Sequence, residues 1–187
     1  MNHLTFTEKD TYSVAVLIKE SALKSEIKEH YPIDWNDAIA LSLSYKDKTT
    51  VKDIKADLSN IIKACKHLQV KTLLVCDTAY FKVLTKLRKA EPYYGSVIHT
   101  EDFDIILAPN YQALFYNPNI QSKIDLAVTV LLNHVQGTHV ALGTGIIHYE
   151  AYPSEFDEIE VWLIKLLQEP VLTCDIETEA LALADAE

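Results

Sequence analysis

The segment Lys71-Thr72-Leu73-Leu74-Val75-Cys76-Asp77 constrains the fold more than any other. Between its charged ends every side chain is apolar or β-branched, so neither alternating face of a strand here carries a charge. Such a strand needs cover on both sides, as in a parallel sheet held between helices. No turn separates it from Thr78–Arg88, where Tyr80, Val83, Leu84 and Leu87 recur at helical spacing and leave Lys82, Lys86 and Lys89 outward. A buried strand feeding directly into a helix is the repeating unit of α/β folds. Asp77 stands at the junction. It is placed to cap the helix, and it lies at the carboxyl end of a strand, where open α/β sheets collect ligands.

The same grammar recurs along the chain. Thr11–Ile18, Ala38–Leu43 and Phe103–Ala108 are further buried-strand candidates. Ser21 is placed to cap a helix to about His30, closed by Pro32. After the turn Lys46–Thr50, Ile54, Leu58, Ile61, Ile62, Cys65 and Leu68 form one stripe of a helix over Val51–Leu68, with Lys52, Lys55, Lys63 and Lys66 on another. Tyr111–Pro118 is aromatic and bounded by prolines, as expected of a short helix or turn that plugs the core or lines a groove. A helix over Ile120–Val135 turns Ile124, Ala127, Val128, Leu131 and Leu132 inward and ends at Gly137. Val140–Tyr149 reads as a strand or hairpin. A Ser154-capped helix reaches Gln168, and Pro170–Thr178 forms a last strand. The expected fold class is α/β, a three-layer sandwich with a largely parallel central sheet. Residues 1–151 form its domain, 152–169 a linker helix, and 170–187 the first strand of a further domain.

Charge is segregated. Residues 1–149 hold 16 acidic and 16 basic side chains, whereas 150–187 hold 11 acidic groups and one lysine. Within 46–89 there are 11 basic and 4 acidic groups, a local excess that bears on partners, not on fold. Hydrophobic content of 49% leaves ample material for a core, and no apolar run is long enough to cross a bilayer. The N-terminus lacks a signal-peptide pattern. Cys65, Cys76 and Cys174 sit in apolar runs, as buried thiols of a reducing compartment do. A cytoplasmic protein without membrane partners is expected.

Two sets of residues carry chemistry. Asp175 and Glu177 alternate along the last strand and project from one face. Paired hard carboxylates of this kind suit Mg²⁺ or Mn²⁺ and form parts of two-metal phosphoryl-transfer sites. The second set is Lys82, Lys86, Arg88 and Lys89 beside Tyr93 and Tyr94. Cations that meet phosphates and rings that stack on bases suit single-stranded nucleic acid. The seven histidines show no metal-ligand spacing. Neither a phosphate loop nor a G-x-S-x-G elbow is present.

Thr173-Cys174-Asp175-Ile176-Glu177-Thr178 resembles the first motif of DnaQ-like 3′–5′ proofreading exonucleases. Leu74–Phe81, Glu91–Gly95 and Ala108–Pro118 are similar to the N-terminal region of certain bacteriophage family-A DNA polymerases. That region resembles the uracil-DNA glycosylase fold and directly precedes the exonuclease domain. The likeness spans residues 70–178. It implies that Asp175 and Glu177 are metal-binding carboxylates of an incomplete site, since the later exonuclease motifs have no room in the remaining residues. Where the motif continues Gly-Leu, this chain has Glu179-Ala180-Leu181. The glycosylase motifs G-Q-D-P-Y and H-P-S-P are absent, so uracil excision is not implied. The expectation is a non-catalytic N-terminal module of a phage replicative polymerase, in the host cytoplasm, binding DNA or a replication protein through residues 46–89. Mg²⁺ or Mn²⁺ would enter only if a longer chain completed the site. The alternatives are a small metal-dependent nuclease or hydrolase using Asp77, Asp175 and Glu177, and a protein-interaction module whose acidic tail covers a basic face.

Overall fold

The apolar runs pair side by side. The computed structural model describes residues 2–45, 49–141, 144 and 154–171. Its strands β1 (His3–Leu4), β2 (Val14–Lys19), β3 (Ala38–Leu43), β4 (Thr72–Val75), β5 (Val97–His99) and β6 (Asp104–Leu107) form one sheet in the order β1-β3-β2-β4-β6-β5. The inner four are parallel. The outer two pair antiparallel at the edges. Side chains alternate between two cores. Ala40, Val16, Leu74 and Ile106 make a row across one face, and Leu41, Leu17, Val75 and Leu107 make the next row on the other.

Helices cover both faces. On one lie α2 (Val51–His67) and α3 (Thr78–Thr85), through Ile54, Leu58, Ile61, Cys65, Tyr80 and Phe81. On the other lie α1 (Ile27–His30) and α4 (Gln121–Val135), through Ile27, Ile124, Ala127, Val128 and Leu131. The unit formed by residues 1–144 is thus a layered α/β structure around a mixed sheet whose centre is parallel. α2 starts with a capping box: the Thr50 hydroxyl accepts from Asp53 N (3.2 Å) and the Asp53 carboxylate accepts from Thr50 N (2.9 Å). It ends when Gln69 takes a left-handed conformation (φ 56°), with Val70 N donating to Cys65 O and Gln69 N to Lys66 O. α4 ends in the same pattern at Gly137 (φ 70°), with Thr138 N donating to Asn133 O and Gly137 N to His134 O.

Several expected boundaries move. The helix expected over 21–30 is a 3-10 turn, Glu20–Ala22, followed by the single turn α1. Ser21 caps nothing there; its hydroxyl donates to Gln112 Oε1 at 3.1 Å. The helix expected to reach Arg88 stops at Thr85, because Lys86 turns left-handed (φ 60°) and lets Ala90 return to the core. β1 and β5 were not expected at all. Strands of two and three residues are too short to show a period.

A second compact unit begins at Gly145. Its described part is α5 (Phe156–Leu166), started by Glu155 in place of the expected Ser154, with Ile159 N donating to Glu155 O at 3.0 Å. Most of the strand or hairpin expected over 140–149, and the strand carrying Asp175 and Glu177, lie outside the described residues. No helix among the described residues is long and apolar enough to cross a membrane.

Leu74 is fully buried between Val16 and Ile106. Leu74→Ala leaves a cavity in the central row and is expected to cost about 3 kcal/mol, read as a lower urea midpoint with an unchanged slope.

Candidate functional site

β2, β3, β4 and β6 all deliver their carboxyl ends to one edge of the sheet. From β2 the chain moves to β3 on one side, then returns to β4 on the other, so the strand order reverses between β2 and β4. In open α/β sheets this is where ligand crevices form. The side chains gathered there are Lys19, Ser44, Tyr45, Asp57, Asp77 and Tyr80. Asp77 Oδ1 accepts from Ala79 N (2.9 Å) and Tyr80 N (3.0 Å), capping α3. Its Oδ2 accepts from the Tyr45 hydroxyl. Lys19 Nζ lies 4.4 Å from the Tyr45 ring centre. Asp57 Oδ2 accepts from Ser44 N at 2.9 Å, and Asp57 Oδ1 from Ser44 Oγ at 3.0 Å. The Tyr80 hydroxyl sits 2.7 Å from Ser44 O and 2.8 Å from Asp57 Oδ2.

Burial, and then the hydrogen bond to Asp77, pushes the Tyr45 phenol above its ordinary value. Burial and the bond to Asp57 do the same to Tyr80. Both phenols are therefore held as donors. Both oxygens of Asp77 accept hydrogen bonds, so at this residue the geometry is that of a helix cap that pins β3 to α3. Beside the network a cavity of about 220 Å³ is lined by Ser44, Thr49, Asp53, Ala56, Asp57 and Asn60.

Lys82, Lys86, Arg88 and Lys89 are all exposed around the left-handed turn that ends α3. The salt bridges among the described residues lie elsewhere, at Lys9–Asp37, Lys66–Asp102 and the two histidines of Asp104. Tyr93 and Tyr94 are half-buried. Tyr93 packs on Phe81 with ring centres 6.3 Å apart. Tyr94 lies under Lys123, whose Nζ is 4.8 Å from the ring centre. Glu91 is held below the usual carboxylate range by backbone N–H groups first and then by Lys82 and Lys123. Among the described residues the most exposed aromatics are instead Phe115 and Tyr116, at 85% and 86%, in the segment expected to plug the core or line a groove.

At the opposite edge of the sheet the fold assembles what spacing did not show. Asp104 opens β6, with His99 Nδ1 2.6 Å from one carboxylate oxygen and His134 Nε2 2.9 Å from the other. The His139 ring lies 6.3 Å from that of His134. Burial pushes Asp104 up, but the bonds and charge of the two histidines outweigh it and hold the carboxyl below its ordinary value. Separations of 5 and 30 residues carry no motif, so only the pairing of β5 with β6 and the course of α4 reveal the cluster. No group of three or more His, Cys, Asp or Glu side chains among the described residues is arranged to hold a metal ion.

The sequence matches no family model and no curated protein.

Asp77→Ala removes a cap that serves two N–H groups and is expected to cost about 1–2 kcal/mol in urea unfolding. Asp104 has a depressed folded value, so its contribution is complete above the unfolded-state value and is lost as pH falls through the folded one. Asp104→Asn should therefore unfold more easily than wild type at pH 7. The gap between the two should close in acid.

Proposed function

We propose that the chain is a non-catalytic N-terminal α/β module of a phage replicative DNA polymerase, with a glycosylase-like fold and no uracil excision, which binds DNA or a replication partner. The observation that carries this reading is the exposed cluster of Lys82, Lys86, Arg88 and Lys89, with no salt bridge to it among the described residues. Four exposed cations at the end of α3 supply the charge that a nucleic-acid backbone requires. Lys123, poised over Tyr94, extends the patch by one cation–ring pair. Four parallel strands between helices support the glycosylase-like fold, and the segments at 74–81, 91–95 and 108–118 support the polymerase context. Under this reading Asp175 and Glu177 mark the start of an exonuclease domain, and Mg²⁺ or Mn²⁺ would bind there only once further ligands joined them.

The test is fluorescence anisotropy with a single-stranded oligonucleotide across a salt series. Lys82→Glu, Lys86→Glu and Lys89→Glu together should weaken binding and lower the salt slope by about 2, since each phosphate contact on a single strand contributes ~0.7. Unchanged affinity and slope, or no binding by wild type at low salt, would remove DNA from the proposal.

A further inference from the structure

A second surface lies over the other core, at the carboxyl edge. The 3-10 turns Glu20–Ala22 and Tyr111–Phe115 are hydrogen-bonded to each other and line a wide-open groove of about 700 Å³. Its inner wall is fixed. The Tyr111 hydroxyl lies 3.0 Å from Ala22 O and 3.1 Å from Glu26 Oε1. Gln112 Nε2 donates to Ser21 O, and Gln112 Oε1 accepts from Ser21 Oγ. His30 stacks on Tyr111 with ring centres 4.3 Å apart and planes within 12°. Burial raises the Tyr111 phenol to about 12, so it stays a donor to Glu26. The outer lip is different. Phe115 and Tyr116 project almost fully into solvent, with rings 5.0 Å apart in an edge-to-face pair.

Exposed aromatics beside a surface hollow are common anchors of protein interfaces. Charge selects the occupant. Among the described lining residues Glu26 is the one carboxylate, and none is a lysine or arginine. A phosphate would meet the Glu26 carboxylate with His30 as the one basic side chain among the described lining residues. We propose that this groove docks a short segment of a partner protein, with an apolar or aromatic anchor between Phe115 and His30 and a lysine or arginine against Glu26. This surface is separate from the Lys82–Lys89 patch and stands whether or not that patch binds DNA.

The experiment uses the full chain. A random peptide library on phage is panned against wild type alone, and the recovered peptides are then measured against wild type and Phe115→Ala/Tyr116→Ala. Recovered sequences should pair an apolar residue with Lys or Arg, and the leading one is made as a fluorescein-labelled peptide. Its Kd should rise at least about tenfold with the double variant, as expected for loss of aromatic anchors. Glu26→Gln, which keeps an acceptor for Tyr111, should weaken binding and flatten its salt dependence. Both side chains of the double variant are exposed, so an unchanged unfolding midpoint is expected and would tie the loss to the surface. Peptides that bind the double variant equally well would overturn the proposal. So would oligonucleotide binding that is lost with the two aromatics but kept when Lys82, Lys86 and Lys89 are reversed. Concentration-dependent dimerisation abolished by the double variant would also overturn it, making the occupant a second copy.

Discussion

Every layer of this protein follows from the need to bury both faces of β2 and β4. Val16 and Leu74 face one side of the sheet, and Leu17 and Val75 the other, all without measurable exposure. Removing a large aliphatic side chain from water contributes roughly 1.5–3 kcal/mol, so a single covering layer would forfeit about half of that gain. Parallel pairing meets the requirement, since each crossover lays a helix on a face. α2 and α3 take one face; α1 and α4 take the other.

The polar groups of the sheet edges are then arranged by what the core leaves open. Strands that end together deliver their last residues to one crevice, and there Asp77 and Asp57 are each tied by hydroxyl and backbone donors. These bonds join β3, α2 and α3 at the edge where they diverge. At the other edge Asp104 joins β5, β6 and α4 through two histidines. Each carboxylate closes a seam between elements distant in sequence. That is why these sites are structurally settled, while the surfaces proposed for partners are a cationic turn and an aromatic lip.

The segment Tyr111–Tyr116 shows how one short stretch serves both ends. Tyr31 donates to Pro109 O and accepts from Tyr111 N at 3.0 Å, fixing the start of the turn to α1 and its flank. Tyr111 is buried, Leu114 is partly buried, and then Phe115 and Tyr116 are outside. A five-residue 3-10 turn has too few positions on its inner side to bury all of its large side chains. The two that remain outside form the lip of the groove.

Local pattern alone determined the four inner strands, α2, α3, α4 and the cap at Asp77, because each carries its own signal in apolar period, capping residue or strand-to-helix junction. The basic turn after α3 was also visible as Lys82, Lys86, Arg88 and Lys89. Only the tertiary structure decided the rest. Sheet order and the edge strands β1 and β5 depend on pairing between distant segments. The His99–Asp104–His134 cluster and the Tyr45–Asp77 and Tyr80–Asp57 pairs join residues that no spacing rule connects. The exposure of Phe115 and Tyr116, against the half-burial of Tyr93 and Tyr94, depends on which neighbours cover each ring. A sequence states which side chains need cover. What is left to cover them is settled only when the layers close.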